Sequence, residues 1–179
     1  MRGALLCLLL VPGVAAAEGE RALSVGLGWA TFSVPGEAVG NMEPPSISPD
    51  YGGALSVSYE HALGTDVMLR GELAGGLFSG GNSEKQSALS YAALADAGVV
   101  FRFDVLKYVP YAFAGLGAVA TGGGPIDGQL DLVLAIGGGL DVLVSRARSW
   151  GFELRIASFG GDITVFTAGL RGTTRWGFF

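Results

Sequence analysis

An alternation of apolar with small or polar residues, period two, recurs along this chain in stretches longer than an ordinary half-buried strand. Successive side chains of a strand point to opposite faces, so each stretch presents one apolar and one polar face. Eight segments carry the pattern. Segment 22–32 sets Leu23, Val25, Leu27 and Trp29 against Ser24, Gly26 and Gly28. Segment 51–62 sets Leu55, Val57 and Tyr59 against Ser56, Ser58 and Glu60. Segment 66–78 opposes Val67, Leu69 and Leu73 to Arg70 and Glu72, and segment 88–103 opposes Leu89, Tyr91, Val99, Phe101 and Phe103 to Ser90, Asp96 and Arg102. Segment 111–121 is rich in Gly and Ala, with Tyr111, Phe113 and Val119 read as its apolar face. Segment 129–144 sets Leu130, Leu132, Leu134, Ile136, Leu140 and Val142 against Asp131 and Asp141. Segment 150–159 sets Trp150, Phe152, Leu154 and Ile156 against Glu153 and Arg155. Segment 163–178 sets Phe166, Ala168, Leu170, Trp176 and Phe178 against Thr167, Arg171, Thr173 and Arg175.

Each segment reaches the roughly 9–11 residues that a tilted strand needs to cross a bilayer. Beyond residue 17 there is no run of 18 apolar residues, which excludes a helical membrane protein. The other structure able to span lipid is a closed barrel, because it leaves no backbone hydrogen-bonding group facing hydrocarbon. Composition agrees. Half of the 179 residues are hydrophobic and 15% are charged, which excludes a disordered chain.

The first residues read as a cleaved signal peptide, 1–17. Arg2 supplies the positive start, residues 4–11 the apolar stretch, and Ala15, Ala16 and Ala17 the small residues of a cleavage site, so the mature domain is expected at 18–179, beginning with Glu18. Cys7, the single cysteine, falls inside that signal, and the mature chain then has no thiol, disulfide or cysteine-bound metal. Residues 1–17 hold one charge, Arg2, so their removal takes the net charge from −5 to −6. No basic patch is present, and nucleic acid is not an expected partner.

Alternation alone does not say which face is inside, since a soluble barrel turns its apolar face inward. Connector lengths point to a membrane barrel. Connectors 62–65, 104–110 and 145–149 are short, 33–50 is long, and 79–87 and 122–128 are intermediate, as short periplasmic turns and longer external loops would be. The last, 160–162, is tight. Aromatic residues gather near segment ends, namely Trp29, Phe32, Tyr51, Tyr59, Phe78, Phe101, Phe103, Tyr108, Tyr111, Trp150, Trp176 and Phe178. Rings with one wet edge settle at the two membrane interfaces as girdles.

The chain stops at Trp176-Gly177-Phe178-Phe179, with the alternation running through Trp176 and Phe178. This ending resembles the C-terminal strand of bacterial outer-membrane barrels. With the eight segments, the mature chain resembles the small eight-stranded barrels of the OmpA transmembrane-domain type. The resemblance implies an all-β, closed, antiparallel up-and-down barrel in the outer membrane of a Gram-negative cell, with both termini periplasmic. It also implies two partners, outer-membrane lipid and the barrel assembly machinery, for which Trp176, Phe178 and Phe179 would be the signal.

On this register the interior holds Glu60, Arg70, Glu72, Asp96, Arg102, Asp131, Asp141, Glu153, Arg155, Arg171 and Arg175, six acids and five bases. Eight strands leave an interior just wide enough for side chains to fill. The near balance points to pairing across the lumen, with Arg70, Glu72, Glu153 and Arg155 at its centre. Interior Gly26, Gly28, Ser56, Gly76, Gly98, Gly137 and Gly139 leave room for large side chains to lie over them. The run Gly137-Gly138-Gly139 lacks the Lys-Ser/Thr of a phosphate loop, and in a strand it marks a bend or close approach.

A Ser-His-acid hydrolase needs a histidine base, and the one histidine, His61, lies on the outward register, on the other side of the wall from Ser58. No His/Cys/Asp cluster suggests a metal and no motif suggests a cofactor. The loop 33–50, with Pro35, Pro44, Pro45 and Pro49, is read as extended and non-strand. It carries Glu37, Glu43 and Asp50. With Glu84, Asp127 and Asp162 against Lys85, the external loops are acidic, and their partner is not specified by sequence. The expected function is structural or interactive, with a plugged barrel displaying loops. The alternative is a narrow pore lined by the interior charges, and a lipid-modifying enzyme comes third.

Overall fold

A computed structural model describes residues 19–35, 46–80, 89–103, 107–123, 126–159 and 163–177. The expected signal 1–17, Glu18, Phe178, Phe179 and the loop residues Glu37, Glu43, Glu84, Lys85 and Asp162 lie outside the described residues. The period-two segments form strands β1 (Arg21–Pro35), β3 (Tyr51–Ala62), β4 (Val67–Ser79), β5 (Leu89–Arg102), β6 (Tyr108–Gly123), β7 (Ile126–Ser145), β8 (Arg148–Phe159) and β9 (Ile163–Trp176), with a two-residue β2 (Ser46–Ile47). From β3 onward each strand pairs antiparallel with the next, β1 pairs with β3, and β1 also pairs with β9 from Arg21↔Trp176 to Ser33↔Thr164. That last pairing closes an eight-stranded up-and-down barrel. Among the described residues no helix is long and apolar enough to cross a membrane.

The start of β1 and the end of β9 lie at one rim, the terminal end, together with turns 63–66 and 146–147, the end of β5 and the start of β6; the opposite rim is the loop end. The outward face is an apolar belt in which Leu23, Val25, Leu27, Leu55, Leu73 and Leu132 are exposed. Exposed aromatics flank it, with Trp29, Tyr51 and Tyr91 toward the loop end and Tyr59, Tyr108, Trp150 and Trp176 toward the terminal end. Apolar side chains outside and charged side chains inside are the dyad of a membrane-spanning barrel.

Several expectations are corrected. Tyr111, Phe113 and Val119 point inward and are buried, while Ala112, Ala114 and Leu116 face out. Aromatic rings are held inside because Phe113 lies against Gly137 and Tyr111 against Gly139 of β7, where a Cβ would collide with each ring. Phe32 and Phe78 likewise leave the expected girdle for the interior, where their rings meet edge to face at 4.9 Å. Strand β1 runs on to Pro35 and pairs with β2 through Val34↔Ile47 and Pro35↔Ser46, so the first proline of the long connector ends a strand; at a strand end its missing N–H costs no ladder bond. Strands β6 and β7 reach Gly123 and Ile126, which reduces the expected loop 122–128 to a link at residues 124–125. Gly123 takes a positive φ of 87° there, as a tight reversal requires. Loop-end connectors are therefore not uniformly the longer ones.

Candidate functional site

Among the described residues, buried charge gathers in the lumen, and the register explains why. Inward parity on six strands stacks long charged side chains in the terminal half of the barrel, beside the buried cluster of Met68, Val100, Tyr111 and Phe113. Within it the carboxylate of Glu153 on β8 accepts from Arg70 Nη1 and Nη2, both at 3.0 Å, from Arg155 Nη2 at 2.9 Å, from Arg171 Nη1 at 3.1 Å and from the Tyr111 hydroxyl at 2.9 Å. Glu72 bridges Arg70 and Arg155. Asp141 takes both Nε and Nη2 of Arg171, at 3.1 and 3.2 Å, and Arg175 at 2.8 Å. Glu60 joins Arg102 to Arg171, the latter at 3.5 Å.

The ion pairs thus run unbroken through Glu60, Arg70, Glu72, Arg102, Asp141, Glu153, Arg155, Arg171 and Arg175. Asp96 and Asp131 also face inward but make no ion pair among the described residues, and each has a buried carboxylate oxygen without a hydrogen-bond donor. Asp96 sits directly across from Glu72 in the β4–β5 register. Burial is near complete, with Glu60 at 0% and Arg70, Glu72 and Arg155 at 3% exposure. At that depth each charge needs its partners, because an unpaired ion loses its hydration without return.

Sequence reasoning missed two members. Glu20 precedes the first segment, yet its carboxylate bonds Arg102 at 2.9 Å and Arg175 at 3.4 Å. Its even parity with Ala22 and Ser24 was the available signal. Tyr111 was placed on the wrong face. Besides bonding Glu153, its ring lies 4.2 Å beneath the Arg171 guanidinium, while Phe113 lies 4.2 Å beneath that of Arg70. Such stacking satisfies the faces of guanidinium groups whose edges hold carboxylates.

The loop-end half of the lumen is different in kind. Phe32, Val34, Phe78, Leu94, Val119, Val133, Ile163 and Val165 form one buried apolar cluster across it. Of the expected interior charges Asp131 falls in this half, opposite Val119. Packed side chains fill the lumen here. Between the layers lie two small cavities, about 40 Å³ beside Ser24, Ser56, Ser58, Arg70 and Arg155, and about 30 Å³ beneath Phe78 and Val165. Each has room for a few water molecules, about two to four. Ser58 is buried inside, whereas His61 lies on the outward register opposite Arg21 and Leu69, so the two do not meet.

Comparison with solved structures gives the fold independently. Neisserial surface protein A superposes with a TM-score of 0.63 at 14% identity over 87% of this chain and 97% of that one. The attachment invasion locus protein Ail of Yersinia pestis gives 0.59 at 18% identity over 89% and 99%. The N-terminal β-barrel domain of Pseudomonas aeruginosa OprF gives 0.57 at 15% identity over 89% and 98%. The chain has the fold of the eight-stranded outer-membrane barrels. At these identities the likeness is one of fold alone. With an apolar belt outside and ion pairs inside, such a barrel is an outer-membrane protein. No protein-family model matches the sequence, and no curated protein does.

Proposed function

We propose that the protein is a plugged outer-membrane barrel with a structural or interaction role, carrying its loops outside and sealed within. The observation that supports this most is the stacking of two closed layers in one lumen, a neutralised ion-pair layer under a packed apolar one. A conducting path needs a continuous wet surface, and the cluster around Phe32 and Phe78 interrupts it. The charge network serves as a staple that ties six strands across the lumen. No step of this reading calls for catalysis, a cofactor or a metal. The C-terminal Trp176, Phe178 and Phe179 serve recognition by the assembly machinery, and the external loops, acidic in sequence, are where a partner would dock.

Single-channel recording in a planar bilayer tests the seal. Protein shown to have inserted is expected to stay silent. Steady discrete openings would overturn the plugged barrel in favour of a narrow pore, with Arg70, Arg155, Asp131 and Asp141 as its lining.

A further inference from the structure

The lumen absorbs nearly every charge within the strands, but two arginines escape it. The strands are longer than their alternation suggested, and the added residues bring Arg21 on β1 and Arg148 on β8 onto the outward face. Both are exposed. Arg21 is one outward step beyond Leu23, and Arg148 one outward step beyond Trp150, so both sit where the apolar belt ends.

The strand register sets their surroundings. Arg21 lies between Trp176 of β9 and His61 of β3. Arg148 lies beside Thr174 of β9, which in turn lies beside Leu23 of β1. The rings of Tyr59 and Trp176 come within 6.4 Å of each other across β1. Two strand spacings and one outward step put the two arginine Cα atoms about 12 Å apart, a gap that two extended arginine side chains close from either side. The resulting face has two guanidinium groups, a threonine hydroxyl between them and an aromatic pair flanking β1 beside Arg21, all at the end of the apolar belt.

Charge at this rim is lopsided. Arg146 on the β7–β8 turn and Lys107 before β6 are also exposed. The exposed acid of this rim among the described residues is Asp66, on the β3–β4 turn next to the sector, a single carboxylate against four exposed cations. Glu20 points into the lumen, held by Arg102 and Arg175. Among the described residues neither Arg21 nor Arg148 forms an ion pair with a carboxylate. Guanidinium groups at headgroup depth pair with phosphate, bidentately and with little desolvation, while aromatic rings hold the acyl–headgroup boundary in place.

We infer that Arg21 and Arg148, with Thr174, Tyr59 and Trp176, form a binding site for the phosphodiester headgroup of an anionic phospholipid in the leaflet at the terminal end of the barrel. This rests on the reading of the chain as a membrane barrel, and the site selects lipid by charge. A zwitterionic headgroup offers the same phosphate but brings its own cation against the arginines.

The test uses quenching of tryptophan emission by brominated lipid in vesicles, in a Trp29→Phe background so that emission comes from Trp150 and Trp176 at the right end. Brominated phosphatidylglycerol is expected to associate roughly five- to thirtyfold more tightly than brominated phosphatidylcholine, the range set by one or two arginines near the surface. The preference should vanish in Arg21→Gln/Arg148→Gln and persist in Lys107→Gln, with heat-modifiable gel mobility showing that each barrel is folded. Equal association of the two lipids, or a preference that survives the double substitution, overturns the site. Quenching by neither lipid would sink the membrane reading itself and the site with it.

Discussion

Arg171 holds Asp141 by both carboxylate oxygens, Nε to Oδ1 at 3.1 Å and Nη2 to Oδ2 at 3.2 Å, across strands that are not neighbours in the wall. The bond therefore passes over Gly151 of β8, along the inner face of the wall. Removing one partner strands the other in the lumen, and Arg171→Met or Asp141→Leu alone is expected to cost about 3–5 kcal/mol of stability. The pair of substitutions together should cost less than the sum of the two, because each removes the ion that the other deprives of its bidentate partner, while Arg175 keeps Glu20. Urea unfolding of vesicle-inserted protein, followed by tryptophan emission, gives all the corners of this cycle. Strict additivity would show that the two side chains do not depend on each other.

Arg155→Ala should lower the unfolding temperature. It takes a cation from Glu72 and from Glu153, and its Nη2 is the donor to both. The loss should exceed that of Tyr111→Phe, which removes a single neutral donor from Glu153, worth about 1.5–3 kcal/mol for a bond to a charged group. An unchanged or raised midpoint in Arg155→Ala would show that the network does not stabilise the barrel.

Gly139→Ala should destabilise by about 1–3 kcal/mol through overpacking. A Cβ at Gly139 would collide with the Tyr111 ring and with the Phe152 carbonyl. Displacing that ring also loosens the stacking on Arg171. Gly71→Ala, where nothing lies within 4 Å, is the matched control and should be tolerated. Comparing refolding yields and unfolding midpoints of the two variants separates a steric effect from glycine loss in general.

The outward belt has a depth profile that can be measured. Leu27→Arg, near the middle of the belt, should cost about 2–4 kcal/mol, and Leu23→Arg, next to the rim, about 0–1. Reversible unfolding from vesicles reads both. Equal costs would mean that the belt does not sit in hydrocarbon as its exposure indicates.

Period two carried most of the fold because one face of most strands is plainly apolar and the other plainly charged or small. It failed on β6 for a physical reason. Both faces there are apolar, Tyr111, Phe113 and Val119 on one and Ala112, Ala114 and Leu116 on the other, so hydrophobicity cannot rank them. Size was the usable cue, since the large rings lie beside the glycines of β7. Parity names the inward charges and the central group of Arg70, Glu72, Glu153 and Arg155, which do pair, but not the contacts of Glu60, Asp141, Arg102, Arg171 and Arg175, since those depend on stagger around the closed wall. The apolar upper layer was hidden for the opposite reason. Phe32 and Phe78 look like interface aromatics when only their position along a strand is known.

The seam between β1 and β9 sets the order in which this molecule can be completed. Ser24 and Thr173, 149 positions apart, share a hydrogen bond of 2.8 Å across it, and Glu20 reaches Arg175 beside it. A chain made from its N-terminus exposes Glu20, Glu60, Arg70 and Glu72 long before Arg171 and Arg175 exist. Until the last strand arrives, the early acids have no full set of counterions and the first strand has a bare edge. An unfinished barrel is thus unsuited to lipid on two separate grounds, and the pairing of β9 with β1 removes both at once.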